Sequence, residues 1–289
     1  MQQTDFDKRM QAQILHVFKF TVKFLEKHNL RYIACGGTVL GAVRHKGFIP
    51  WDDDMDIYMP RADYEKLLDL KKEAQQDGFD VLSLRDKGYY LPFAKVSDMH
   101  TTLWEFENFP FVTGVYIDIF PLDNFDFSDN QLDAIQHKSE KMFYHYMKSI
   151  SKEKTFDFWK DIFHGRFSQA RYKLKVIYLH LIPKKLFANF LDYQKWYSNF
   201  DGPKSVCVTQ WAGKIFKREW FEDTISLPFE DTEVIVPRDY DSYLTCLYGD
   251  YMTPPPVEQQ VSEHQHFYLN FNERLSLEEI KHRMKSEGL

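Results

Sequence analysis

Apolar positions recur at helical spacing through residues 5–28, at Met10, Ile14, Val17, Phe18, Val22 and Leu25, which predicts an amphipathic entry helix. Tyr32, Ile33 and Ala34 predict a strand over 31–35, and Val39, Leu40, Ala42 and Val43 a helix over about 38–44. The period then changes to two. Met55, Ile57 and Met59 alternate with Asp54 and Asp56, as in a half-buried strand over 55–59. Pro60 opens a helix to about residue 76, a place where proline is favourable. Short strands fit 79–84, 92–97, 101–106 and 114–120, and Pro121 with the polar run 123–130 predicts the end of the sheet region. From 130 to about 200 the pattern is helical, broken near Gly165 and Pro183. The remainder mixes short strands and helices, and Pro254, Pro255 and Pro256 form a rigid extended stop.

Composition narrows the class. The 289 residues suffice for one large domain, or for a catalytic domain with an appended subdomain. A net charge of −6 argues against a general nucleic-acid binder. Cys35, Cys207 and Cys246 are scattered without metal-ligand spacing and fit a reducing compartment. The first residues lack a signal-peptide pattern, and no apolar run approaches the ~20 residues that span a bilayer, so a cytoplasmic protein is expected. Charge is unevenly placed. Lys138 to Lys195 holds thirteen Lys and Arg against five acids, interleaved with aromatics such as Trp159, Phe163 and Tyr178. That pattern fits either a membrane-surface contact through 138–195 or a helical subdomain with solvated lysines and a buried aromatic face.

The candidate chemistry lies in Cys35 to Met59, where a glycine pair is followed by Asp52, Asp53, Asp54 and Asp56. Alternation puts Asp54 and Asp56 on one face of their strand, where two carboxylates repel unless a cation lies between them. Hard oxygen ligands favour Mg²⁺ or Mn²⁺. Asp118 stands in a second alternating run, 115–120, and is costly to bury without a partner or metal. Gly36 and Gly37 allow close approach of the backbone to phosphate, and Thr38 adds a hydroxyl. Arg44 and Lys46 can pair with a diphosphate or balance Asp52 and Asp53. Lys95, among apolar strand neighbours, requires an anionic partner, either a phosphate or a site carboxylate.

A Gly-Gly turn, a DxD strand and an acid on a later strand resemble the nucleotidyltransferase superfamily. More closely, 36–67, the blocks 92–98, 101–105 and 114–124, and the stretches 216–223 and 237–256 resemble the LicD family, related to the fukutin-related proteins. The resemblance is weakest over 125–210. It implies an α+β nucleotidyltransferase-fold mixed sheet flanked by helices, with an inserted or appended helical subdomain. The corresponding division is a catalytic core at 1–125, a basic aromatic-rich helical subdomain at 126–210, and a C-terminal region at 211–289 completing the catalytic domain.

The activity implied by the resemblance is transfer of phosphocholine from CDP-choline to a hydroxyl of a lipid-linked glycan acceptor, for teichoic acid, capsule or lipopolysaccharide. CDP-ribitol and CDP-glycerol are alternative donors, and true nucleotidyl transfer is an alternative reaction. The LicD reaction attacks the distal phosphorus, so CMP leaves. Asp54, Asp56 and Asp118 would hold the metal, and Asp118 would orient or deprotonate the acceptor hydroxyl. Glu105 matches a family acid, as a metal or choline contact or as a partner of Lys95, and His264 matches a family histidine. Residues 258–263 lack the basic pair that often precedes that histidine. Trp51, Trp104, Tyr116 and Trp211 are the aromatics available to choline. A place at the inner face of the plasma membrane would suit such an acceptor.

Overall fold

A computed structural model describes residues 5–125, 129–152, 158–194, 198–199, 206–208, 215–262, 264 and 266–288. Helix α1 (Asp5–Lys27) turns Met10, Ile14, Val17, Phe18 and Leu25 into the core, each such burial contributing about 1.5–3 kcal/mol before entropy is counted. The chain continues through β1 (Ile33–Ala34), α2 (Gly36–Arg44), β2 (Asp56–Pro60), α3 (Arg61–Asp69) and α4 (Lys71–Gln76). Strands β3 (Phe79–Leu82), β4 (Ala94–Asp98), β5 (Thr102–Trp104) and β6 (Tyr116–Phe125) follow. Then come α5 (Asp129–Ile150), α6 (Phe158–Phe163), α7 (Phe167–Leu181) and α8 (Pro183–Gln194). The rest comprises β7 (Ser198–Asn199), β8 (Val206–Val208), β9 (Ile215–Lys217), the hairpin β10 (Thr224–Phe229) and β11 (Thr232–Pro237), α9 (Tyr240–Tyr248), β12 (Tyr268–Asn270) and α10 (Leu277–Glu287).

The main sheet runs β1-β2-β6-β4-β3. β2 and β6 are parallel, and the other neighbours on this path are antiparallel, so the protein is α+β with a mixed sheet flanked by helices. The parallel pair requires a long crossover, which runs through α3, α4 and the three intervening strands. Phe216, Phe221, Phe229, Val234, Val236 and Tyr243 pack into the same core as β1, β2, β4 and β6. Helix α5 docks through Tyr146, whose hydroxyl donates to the Tyr89 carbonyl at 2.8 Å. Among the described residues no helix is long and apolar enough to cross a membrane.

Several boundaries differ from those read in the sequence. Pro121 does not end the sheet: β6 runs on to Phe125 and pairs with β7 and β8. The last β4 partner on β6 is Ile119, so the missing N–H of Pro121 breaks no ladder on that side. The helix after Pro60 divides at Leu70, whose φ of −86° and ψ of 4° depart from the helical region. The 101–106 strand contracts to β5 and pairs with β12 outside the main sheet.

Candidate active site

Strand register assembles the centre of the site. Asp56 on β2 pairs with Asp118 on β6, and Asp118 pairs with Lys95 on β4. Paired residues project from the same face of a sheet, so the three form one row across three strands. Lys95 is buried, with its ammonium 3.0 Å from Asp118 Oδ1, 3.5 Å from Glu105 Oε1 and 3.1 Å from the centre of the Tyr116 ring. Glu105 accepts hydrogen bonds from the hydroxyls of Tyr90 and Tyr116. Burial pushes its carboxyl up, but Lys95 and the two tyrosines outweigh that and hold it below its ordinary value.

Helix α2 forms the second wall. It begins at Gly36, so the glycine pair lies in the first helical turn rather than in a free loop. Gly36 has φ +54°, and a Cβ there would stand 3.3 Å from Asp56 Oδ2; a Cβ on Gly37 would stand 2.7 Å from Asp52 Oδ2. Glycine is what lets two carboxylates lie against a helix N-terminus, whose partial positive charge favours them. Thr38 Oγ1 accepts the Asp56 N–H at 2.8 Å, fixing the start of β2, and Tyr243 Oη accepts the Gly36 N–H at 2.9 Å. From α1, Gln11 Nε2 donates to the Asp52 carbonyl at 2.7 Å and holds the acidic loop.

A C-terminal strap closes the rim. β12 pairs with β5 and leads the preceding residues over the acidic loop. His264 Nδ1 lies 2.8 Å from Asp53 Oδ1 and Nε2 lies 3.4 Å from Asp54 Oδ2. Ser262 Oγ donates to Asp53 Oδ1 at 2.6 Å, and His266 Nε2 is 3.5 Å from Asp53 Oδ2. The hydrogen bond to Asp53 pushes the His264 imidazole up to about 9, against the effect of burial. Burial lowers His266. Burial alone would raise Asp53, but His264 and Ser262 bring it below its ordinary value.

The remaining acids are charged only at a cost. Burial and then Asp54 push Asp52 well up, and burial, Asp54 and Asp118 do the same to Asp56. Asp118 is pushed up to about 6 by burial, with Lys95 opposing. Asp56 Oδ1 is sealed from solvent without a hydrogen-bond partner, and Asp118 Oδ1 meets Lys95 as an ion pair outside hydrogen-bond geometry. Buried, mutually repelling carboxylate oxygens with unmet acceptor capacity fit a hard divalent cation. Among the described residues no three His, Cys, Asp or Glu side chains already stand in a ligating arrangement.

The structure gathers Asp54, Asp56, Asp118, Gly36, Gly37, Thr38, Lys95, Glu105 and His264 around one region, although Asp54 precedes β2 instead of sharing its alternation. Arg44 turns elsewhere: Nη1 donates to the Tyr251 carbonyl at 2.7 Å and Nε to His45 at 2.9 Å. Lys46 is exposed at a positive φ of 60°. Tyr116 lies beside Lys95, Trp104 packs with Leu275 and Ile280, Trp51 packs on the core, and Trp211 lies outside the described residues. The sequence reading missed the pairing of Asp53 with Ser262 and His266, and also Tyr248, whose hydroxyl lies 3.7 Å from a Cβ placed on Gly36. A second histidine two residues after His264 was the available signal. An apolar groove of about 310 Å³, lined by Pro92, Phe143, Tyr144, Met147 and Phe190 among others, includes none of the site acids.

The family model described as LicD/FKTN/FKRP, nucleotidyltransferase domain, matches residues 29–170, a span that holds α2, the acidic loop and the Asp56–Asp118–Lys95 row. The lipopolysaccharide cholinephosphotransferase LicD of Haemophilus influenzae is 26% identical over 266 residues, 89% of this chain and 95% of that protein. Shorter matches of 68 residues, 40% and 37% identical, cover 24% of this chain and about a quarter of uncharacterised proteins of Rickettsia prowazekii and Rickettsia typhi. The domain match contains the carboxylate row and the similarity to LicD extends over most of the chain, so residues 29–170 carry a LicD-family domain.

Proposed function

We propose that the chain transfers phosphocholine from CDP-choline to a sugar hydroxyl of a cell-surface glycan precursor and releases CMP. The observation carrying this reading is the pairing of Asp56 with Asp118 on adjacent parallel strands, with Asp56 Oδ1 sealed and unpartnered. Similarity to a lipopolysaccharide cholinephosphotransferase supports the choline donor and the glycan acceptor. The mixed sheet and the family match support a nucleotidyltransferase fold in which 1–125 and 211–289 form the catalytic unit and 126–210 a helical subdomain.

Asp54, Asp56 and Asp118 would hold Mg²⁺ or Mn²⁺, and such an ion, when bound, neutralises diphosphate charge. Asp118 orients the acceptor hydroxyl and takes its proton, a role suited to a carboxyl raised to about 6. The hydroxyl oxygen forms its bond to the distal phosphorus as the bond from that phosphorus to the CMP oxygen breaks. Protonated His264 at the rim contributes positive charge for the donor phosphates. Tyr248, exposed and close to Gly36, offers an aromatic face to a quaternary ammonium.

The test is CMP release from CDP-choline with Mg²⁺, with and without EDTA, in wild type and Asp56→Ala, in the presence of a glycan acceptor extract. Release abolished by EDTA and by the substitution supports the proposal. CMP from CDP-ribitol or CDP-glycerol alone overturns the choline assignment, and pyrophosphate or nucleotide-labelled product overturns phosphocholine transfer. EDTA-insensitive turnover overturns the metal.

A further inference from the structure

Helix α7 has two apolar faces. Ala170, Val176 and Leu179 are buried. Phe167, Leu174, Tyr178 and Leu181 are 69%, 47%, 59% and 75% exposed. At ~100° per residue these four fall within an arc of roughly 60°, with Arg171 at its margin. The preceding α6 adds Trp159 and Phe163, one turn apart and 59% and 84% exposed. Solvent-facing Leu and Phe at helical spacing cost solubility without helping the fold, so such a stripe marks a contact surface. The same helical segment carries exposed cations, Lys160 on α6, Arg171 and Lys175 on α7, and Lys184 and Lys185 on α8, and it is strongly basic on a chain of net charge −6.

We propose that this α6–α7 face docks the protein on an anionic lipid bilayer. The aromatic and leucine side chains would enter the boundary between headgroups and acyl chains, while the Lys and Arg stems extend to anionic headgroups. Charge decides the occupant. A second copy packed face to face would bring two basic faces together, like charge against like, whereas an anionic surface complements Arg171 and Lys175. The inference is independent of the donor and of the transfer chemistry.

Co-sedimentation of the full chain with vesicles tests it, using phosphatidylcholine alone and phosphatidylcholine with phosphatidylglycerol. Wild type is expected to pellet with the anionic vesicles and to be released by high salt. A Phe163→Ser/Leu174→Ser/Tyr178→Ser variant and an Arg171→Gln/Lys175→Gln/Lys184→Gln/Lys185→Gln variant should each bind about a hundredfold more weakly. Met252→Ser, at an exposed apolar residue elsewhere, should bind as wild type. The charge variant leaves every apolar contact in place, and an unchanged circular dichroism spectrum verifies folding of both. Wild type remaining in the supernatant with both vesicle types overturns the proposal. So does equal pelleting of all variants, or a wild-type dimer in light scattering that the apolar variant disperses without vesicle binding.

Discussion

Lys95→Met isolates the electrostatics of the carboxylate row. Lys95 is 1% exposed, and its ammonium lies between Asp118 and Glu105, at 3.0 and 3.5 Å. Methionine keeps most of the volume and removes the charge. Deleting one partner of a buried ionic cluster costs about 3–5 kcal/mol, because the remaining charge is left uncompensated. A domain stability of about 5–15 kcal/mol makes that a large fraction, and at ~2–4 °C per kcal/mol the melting temperature should fall by roughly 6–20 °C. The carboxyls stranded in the variant have folded-state values raised above their unfolded ones. The stability they contribute is therefore present below the unfolded values and lost as pH rises through the raised ones, so the deficit should be larger near neutrality than near about pH 4. Adding Glu105→Gln removes one stranded charge and should restore at least about 1 kcal/mol, measured by a double-mutant cycle in urea. A Lys95→Met protein within about 1 kcal/mol of wild type at neutral pH would refute the reasoning.

Three further outcomes are expected. Mg²⁺ should raise the melting temperature of the wild type more near about pH 8 than near about pH 5, because raised Asp56 and Asp118 must lose protons to ligate; Asp56→Ala should abolish the shift, and a pH-independent shift counts against ligation by these acids. In a histidine nitrogen NMR titration His264 should titrate near 9 and His266 below its ordinary value, with Asp53→Asn bringing His264 down; His264 titrating near 6.5 would break the assigned pair. Gly37→Ala should lower transfer by about tenfold or more while the melting temperature moves little, since its Cβ displaces the Asp52 carboxylate 2.7 Å away; full activity in that variant would show that Asp52 need not stand there.

Local patterns carried much of this fold. α1 was legible because its apolar residues repeat over a long helix, and β2 because Met55, Ile57 and Met59 recur at every second position. What the sequence did not contain was register. Asp56 and Asp118 are far apart along the chain, and only the parallel pairing of β2 with β6 makes them neighbours. The same holds for Asp53 and His264, separated by 211 positions and joined because β12 pairs with β5. Pro121 misled for a related reason: proline ends a strand only where its N–H would have been used. In the basic segment the charge and the aromatics were countable. Which aromatics face outward was settled by the packing of α7 through Val176 and Leu179.

Partition of the positive charge leads to a last prediction. Lys95 is sealed behind Asp118 and Glu105 and is already committed to them, and Arg44 is committed to the Tyr251 carbonyl and His45. His264 stands differently, at the rim with a third of its side chain exposed, beside Asp53 and Asp54. With its imidazole raised to about 9, it is charged through the neutral range and, among the described residues, is a side-chain cation at the rim placed to meet a donor phosphate. His264→Gln should therefore raise KM for the donor with a smaller effect on melting temperature, whereas Lys95→Met should lower melting temperature first. In wild type, KM for the donor should rise as pH increases through about 9, because the imidazolium is lost, and in His264→Gln that dependence should vanish. A His264→Gln enzyme with unchanged KM and the same alkaline limb would place the phosphate-facing charge on another group and leave His264 as a clamp on the acidic loop.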